Sequence, residues 1–364
     1  MKTTHYTAIS MAVVAALGVS GSVLAQGQVN VFNWSDYVAD DTIANFEERT
    51  GIDVVYDVYD SNEVLEARVL AGQTGYDVVV PTSDYMARHI MAGAYQPLDK
   101  SRLSNYDNLD MEFLETLSNY DPGNQYGVPY QWGTTGIGYN VDMIEAILGE
   151  DAPTDSWDLV FDPQYASQLA ECGIAMLDSG SEVMPVAMHY LGLNPNSKNA
   201  ADFGEAQRML QAVRPHISYF HSSRYISDLA NGNICVAVGW SGDVFQAQWR
   251  AEEAENGVDI AYYIPKEGTA AWSDMLAIPV DAPNLDNAYA FIDYILEAEV
   301  SADITNYVWY GNPNIAAREF IDEDILEDPG VFPPPGTELF TFEVRPPNIE
   351  RLLTRSWNAV KAGN

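Results

Sequence analysis

The chain has 364 residues, with 17 Lys and Arg against 53 Asp and Glu, a formal net charge of −36. So acidic a protein lacks the basic face that neutralises phosphates, which excludes a nucleic-acid reader. A hydrophobic share of 47% with 12% aromatics excludes disorder, because such a chain buries a core. The acidity has two readings: a field that draws cationic ligands to the protein, and a surface adapted to a salty exterior. The second accounts for most of the excess, since a handful of pocket acids cannot make −36.

The N-terminus reads as an export signal. Lys2 supplies a positive charge, residues 9–19 are almost continuously apolar or small, and Val23-Leu24-Ala25 is a small-residue cleavage site. The apolar run is shorter than the roughly 20 residues of a membrane span, and no Cys at the cleavage point accepts a lipid. Residues 1–25 are therefore set aside as a signal peptide, and a free, soluble, periplasmic mature protein is expected, long enough for two domains.

Residues 29–33 read as a strand leading into Trp34-Ser35-Asp36-Tyr37. A helix follows, with Asp40 or Asp41 as N-cap, Ile43 and Phe46 on one face and Gly51 just past its end. Residues 52–58 are a β-branched strand. Ser61 opens a second helix with Val64, Leu65 and Val69 on its apolar face and Gly72 closing it. Residues 76–81 form a nearly all-apolar strand of the kind buried on both faces. Strand, helix, strand, helix, strand is the signature of crossovers on a mostly parallel sheet. Residues 126–140 suit an extended crossover more than a linker, helix and strand signals resume over 157–238, and 260–264 is extended again. A helix is expected over 285–296 and a Pro-rich surface loop near 332–335. The pattern predicts two α/β lobes joined by crossing strands, with a ligand between them.

Catalytic equipment is missing from the sequence. Gly133-Thr-Thr-Gly136-Ile-Gly138 has the wrong spacing for a dinucleotide turn, there is no P-loop, and Gly239-Trp-Ser-Gly242 misses the nucleophile elbow. The His residues fall in no ligand or triad pattern. No metal site, cofactor or enzymatic activity is expected. Cys172 and Cys235 lie in apolar surroundings that read as strands; one structural disulfide and two separately buried thiols are both open readings, and the spacing fits no zinc motif.

What does recur is an aromatic beside an acid after a strand: Trp34-Ser-Asp36-Tyr37, Trp240-Ser-Gly-Asp243 and Trp272-Ser-Asp274. Aromatic faces attract cations, worth about 0.5–2 kcal/mol each, and carboxylates take N–H donors in charge-assisted hydrogen bonds, roughly 1.5–3 kcal/mol each. The same rings give apolar walls for a methylene spacer. The pattern suits organic ammonium groups. A receptor for quaternary ammonium compounds would use the same rings, and an exported hydrolase with a carboxylate pair is a further alternative.

Asn33-Trp-Ser-Asp-Tyr37, Asp60-Ser-Asn-Glu-Val-Leu-Glu66, Thr134-Thr-Gly-Ile-Gly-Tyr-Asn140, Tyr219-Phe-His-Ser-Ser223, Asp228-Leu-Ala-Asn-Gly232, Gly239-Trp-Ser-Gly-Asp243 and Ile264-Pro-Lys-Glu-Gly268 occur in this order. On these runs the chain resembles the periplasmic putrescine- and spermidine-binding proteins of ABC importers, the putrescine receptor type most of all. The resemblance implies a type II periplasmic-binding-protein fold. Its two α/β lobes would be joined by hinge strands, with 26–131 and about 265–310 in the first lobe and 132–264 and about 311–364 in the second. It implies a polyamine ligand, a membrane permease as partner, and a monomer.

Carried over position by position, Trp34 and Tyr37 are aromatic walls and Ser35 and Asp36 polar contacts. Thr82 stands where relatives place a Ser hydroxyl, and Glu182 matches an acid that holds one ammonium. Trp240 and Asp243 match the central ring and its acid, Trp272 and Asp274 the pair on the returning segment, and Tyr310 a ring near the second lobe's edge. Cys172 and Cys235 match a pair that can be bridged. Putrescine receptors usually have Phe at Trp272, and Asp84 adds an acid where relatives have small polar residues. These two departures lead to the expectation that spermidine is accepted at least comparably to putrescine; Asp84 has two readings, a contact for the added charge and one more solvated acid.

Overall fold

The structure is a computed structural model and describes residues 27–363; the expected signal peptide lies outside the described residues. Among the described residues ten strands form one sheet: β1 (Gln28–Trp34), β2 (Asp53–Tyr59), β3 (Val78–Val79), β4 (Gly127–Asn140), β5 (Ile174–Met176), β6 (Tyr219–Phe220), β7 (Val236–Trp240), β8 (Ile260–Tyr263), β9 (Thr269–Ala277) and β10 (Leu339–Phe340). Their order is β2-β1-β3-β9-β4-β7-β5-β6, with β8 also on β4 and β10 also on β9.

The first crossovers come out as the pattern predicts. β1 pairs in parallel with β2, Gln28 opposite Asp53, and with β3, Val31 opposite Val78. Gly51 ends the helix Thr42–Thr50 in a left-handed conformation, its N–H on the carbonyl of Glu47. Ser61 caps Asn62–Ala71 by accepting from the Val64 amide. That helix buries Leu65 and Val69 but leaves Val64 49% exposed, because adjacent helical residues point about 100° apart and only the i, i+4 pair shares the core face. The third strand pairs only over Val78–Val79, although Val80 is equally buried.

β4 joins the two halves of the sheet. Its first part runs antiparallel to β9, from Gly127 opposite Ala277 to Thr134 opposite Ala271, with an irregularity between Pro129 and Trp132. Its second part runs antiparallel to β7, from Thr135 opposite Trp240 to Tyr139 opposite Val236. The Gly- and Thr-rich stretch is thus one 14-residue strand shared by both halves. The helix Leu285–Ile295 packs on β1, whereas the C-terminal helix Pro347–Ala362 packs on Ala200–Val213 and Gly180–Tyr190 in the other half. Leu109 bridges to Asn314, which holds the segment after Tyr310 against the first half.

Cys172 and Cys235 form a disulfide, Cα to Cα 5.5 Å. They sit just before β5 and β7 rather than within them, so the bond ties together the starts of two neighbouring parallel strands.

Candidate ligand-binding cleft

In parallel sheets side chains for a ligand are supplied where strands end, and the cavity lies there. β1 delivers Trp34, Ser35 and Tyr37, the turn after β3 delivers Thr82, and the first turn of Gly180–Tyr190, after β5, delivers Glu182. β7 ends in Trp240, and Asp243 sits in the first turn of the helix Ser241–Glu253. Trp272 and Asp274, expected after a strand, lie instead within β9, two apart, and so share a face. Tyr310 follows the helix Ala298–Val308, after Trp309 turns the chain in a left-handed conformation (φ 57°). With Asn62, these side chains line one narrow cavity of about 30 Å³.

The rings form a box. Trp34 meets Trp240 edge to face at 5.5 Å between centroids, and Trp240 meets Trp272 at 6.4 Å. Trp272 meets Tyr310 at 5.5 Å, and Tyr310 meets Tyr37 at 5.1 Å. Gly133 makes room for this packing: a Cβ there would stand 2.9 Å from Trp272, Tyr310 and Ser241.

Each acid is held by hydroxyls. Asp274 accepts from Tyr37 at 2.8 Å and from Thr82 at 2.7 Å, and Asn62 in turn donates to the Thr82 hydroxyl at 2.8 Å. Asp243 accepts from Tyr310 at 2.6 Å and Tyr225 at 2.7 Å. Glu182 accepts from Thr135, whose oxygen also takes the Trp272 indole N–H at 3.3 Å. Among the described residues, the cavity wall carries Asp243, Asp274 and Glu182 and no Lys, Arg or His. Burial therefore dominates their protonation: it raises Asp243 and Asp274 from 3.8 to about 7 and Glu182 from 4.5 to about 8, against the pull of the hydroxyl donors. A cation bearing N–H groups supplies both missing elements, positive charge and donors.

Two residues singled out in the sequence are placed elsewhere. Asp36 adopts φ 54°, which turns its side chain away from the cavity; its carboxylate pairs with Arg250 at 2.6 Å and its carbonyl accepts from Gln246 at 3.1 Å. Asp84 does not line the cavity either. It is buried behind the wall, 3.7 Å from the Arg345 guanidinium, and is neither a solvated acid nor free to meet a ligand's charge. Three residues that matter were not singled out: Asn62, Thr135 and Tyr225. The first two lie inside runs that carried the resemblance and the third just after one. A search for rings and acids alone passes over the hydroxyl and amide groups that hold the acids.

Residues 41–333 match the model of the bacterial extracellular solute-binding protein family. The chain belongs to that family. It is 51% identical over 354 residues to the putrescine-binding periplasmic protein PotF of Escherichia coli K12, covering 96% of both chains. It is 50% identical to the putrescine-binding periplasmic protein SpuD of Pseudomonas aeruginosa, covering 96% of this chain and 97% of that one. Among solved structures it is similar to a putative spermidine/putrescine ABC transporter from Listeria monocytogenes, with a TM-score of 0.82 and 30% identity over 93% of this chain and 99% of that chain. The family resemblance and the periplasmic-binding fold expected from the sequence both hold.

Proposed function

We propose that this chain is an extracytoplasmic receptor that captures linear polyamines, putrescine and spermidine among them, and delivers them to the permease of an ABC importer. The observation that carries this reading is the set of buried acids, Asp243, Asp274 and Glu182, inside a ring-lined cavity whose wall, among the described residues, holds no protein cation. An α,ω-diammonium chain places a charge with N–H donors at each end and methylenes against the rings between. A quaternary ammonium ion satisfies the rings but offers the carboxylates no N–H, so it fits the cavity poorly. The protein acts by binding, without turnover, as a periplasmic monomer exported through a cleaved signal over residues 1–25.

The halves on either side of β4 act as the lobes, 26–131 with about 265–310 and 132–264 with about 311–364, although the stretch around Asn314 rests on the first. Trp34 and Thr82 come from one and Glu182, Trp240 and Asp243 from the other, so a ligand touching both favours the closed state by its differential affinity. Isothermal titration at low salt and neutral pH tests the reading. Saturable binding of putrescine or spermidine, one per chain, is expected, with no heat from choline. No heat from any polyamine overturns it.

A further inference from the structure

A second set of charges lies beside the cavity and has no place in it. Arg345 sits just before the C-terminal helix, which packs on the second half, and its segment runs between the halves: Asn196 of the second donates to the Thr341 carbonyl at 2.8 Å and accepts from the Glu343 amide at 2.9 Å, and Tyr120 of the first donates to the Phe342 carbonyl at 2.6 Å. Asp84 and Arg88 belong to the helix Ser83–Met91, which packs on Asn62–Ala71 and β9 in the first half. Across this seam Arg345 faces Asp84 at 3.7 Å, with side chains only 5% and 6% exposed, and holds Glu350 through Nε at 2.9 Å. Glu350 also pairs with Arg88, which reaches back to Glu66 at 2.7 Å. Neither terminal nitrogen of Arg345 has a hydrogen-bond partner.

We propose that Arg345 is an affinity-setting residue that never touches the ligand: its pairing with Asp84 across the seam locks the closed arrangement. The proposal rests on the polyamine reading of the cavity but concerns different residues. Separated, Arg345 and Asp84 are hydrated. Brought together they lose that water, and the closed state is favourable only while each has the other. The seam is joined to the cavity through the same helix. Asp84 stands two residues past Thr82, which holds Asp274, and Tyr85 donates to Ser181 at 3.0 Å, next to Glu182. Closing over a ligand and closing the seam are therefore one motion. The pair forms after the ligand has landed, so it acts on release and not on capture.

Stopped-flow tryptophan fluorescence with putrescine tests this, since Trp34, Trp240 and Trp272 line the cavity. Arg345→Met leaves Asp84 buried without its partner. It is expected to raise the dissociation rate tenfold or more, with the association rate unchanged within twofold and full binding stoichiometry. The double variant Asp84→Asn/Arg345→Met, which leaves no lone charge, is expected to recover a large part of that loss. Arg345→Lys keeps the charge and should fall between wild type and Arg345→Met. A dissociation rate at the wild-type value in Arg345→Met overturns the proposal. So does a loss confined to stoichiometry, which reports damaged folding and no lock. Should Arg345→Met fail to fold, the double variant and Arg345→Lys decide by the same rates. If wild type itself does not bind, the reading of the cavity falls and the seam's role with it; binding with unaltered release rates removes the seam's role alone.

Discussion

Tyr225 donates its hydroxyl hydrogen to Asp243 at 2.7 Å from behind the cavity wall, and the same oxygen accepts the Trp240 amide at 3.0 Å. The tyrosine is fully buried and fixes the acid and the ring beside it at once. Deleting the hydroxyl in Tyr225→Phe leaves Asp243 with Tyr310 as its hydroxyl donor. The carboxylate's pKa then rises further above about 7, and a buried polar partner is lost at a cost of about 1–3 kcal/mol. Putrescine affinity at pH 7 is expected to fall roughly five- to fiftyfold, with part of the loss regained at pH 8.5. Titration at both pH values checks this; a loss that does not depend on pH places Tyr225 in packing alone.

The cavity acids set binding against stability. Asp243→Asn, Asp274→Asn and Glu182→Gln each leave a ligand ammonium desolvated without its counter-charge, a loss of about 2–5 kcal/mol. Affinity is expected to drop tens-fold or more in each. Without ligand the order reverses, because a buried carboxylate that must ionise at pH 8 is unfavourable where only hydroxyls face it. Each variant should melt above ligand-free wild type at pH 8 and below wild type saturated with putrescine. Thermal denaturation with and without ligand measures both, and near-native affinity in all three variants means that the cavity is not the site.

The raised pKa values fix the sign of the pH dependence. In the folded, ligand-free protein Asp243 and Asp274 keep their protons up to about 7 and Glu182 up to about 8, whereas unfolded they lose them near 3.8 and 4.5. The folded state thus binds more protons between those limits. Their contribution to stability is complete below about pH 4, declines as the pH rises, and is gone above about 8. Ammonium ligands prefer the ionised acids, so binding at pH 7 expels protons. Titration in two buffers of different ionisation enthalpy should show proton release, and affinity should fall between pH 8 and pH 6. A proton balance of zero at pH 7 would show that the acids are already ionised.

Much of this arrangement was legible in the residues, for physical reasons that can be named. Trp34, Trp240 and Trp272 announce themselves because a ring beside an acid, weak as a signal once, recurs three times; that Trp272 and Asp274 lie inside a strand and share a face was not read, because their Ser-containing stretch looks like a loop. Asp36 and Asp84 follow the same local pattern yet pair with Arg250 and Arg345, 214 and 261 positions away. No local spacing reveals which acid finds a cation of the protein's own and which is left for a ligand. The φ of 54° that turns Asp36 outward is equally invisible, since the residue is not Gly. Tyr225 and Thr135 were hidden for a third reason: hydroxyls that hold an acid from behind carry no charge or periodic signature.

Ligand length is where these placements matter most. Spermidine adds an aminopropyl arm to the diamine, hence a third ammonium and more methylene surface. With Asp84 committed to Arg345, that ammonium must be met on the cavity wall itself, where Asp243, Asp274 and Glu182 stand. Trp272, at 6.4 Å from Trp240 and 5.5 Å from Tyr310, offers the added methylenes a broader face than Phe. Spermidine is therefore expected to bind at least comparably to putrescine. Trp272→Phe should weaken spermidine more than putrescine, by severalfold, since one favourable contact of about 1.4 kcal/mol is a factor of ten. Asp84→Ser should weaken both ligands alike, because it acts on closure and not on one ammonium. The opposite outcome has an equally definite cause. Trp272 also borders a neighbouring hollow lined by Ser83, Asn119, Tyr120 and Thr341, so the ring is a partition. If wild type binds putrescine tightly and ignores spermidine, while Trp272→Phe admits it, the indole ends the cavity short of the third ammonium and the protein is a strict diamine receptor.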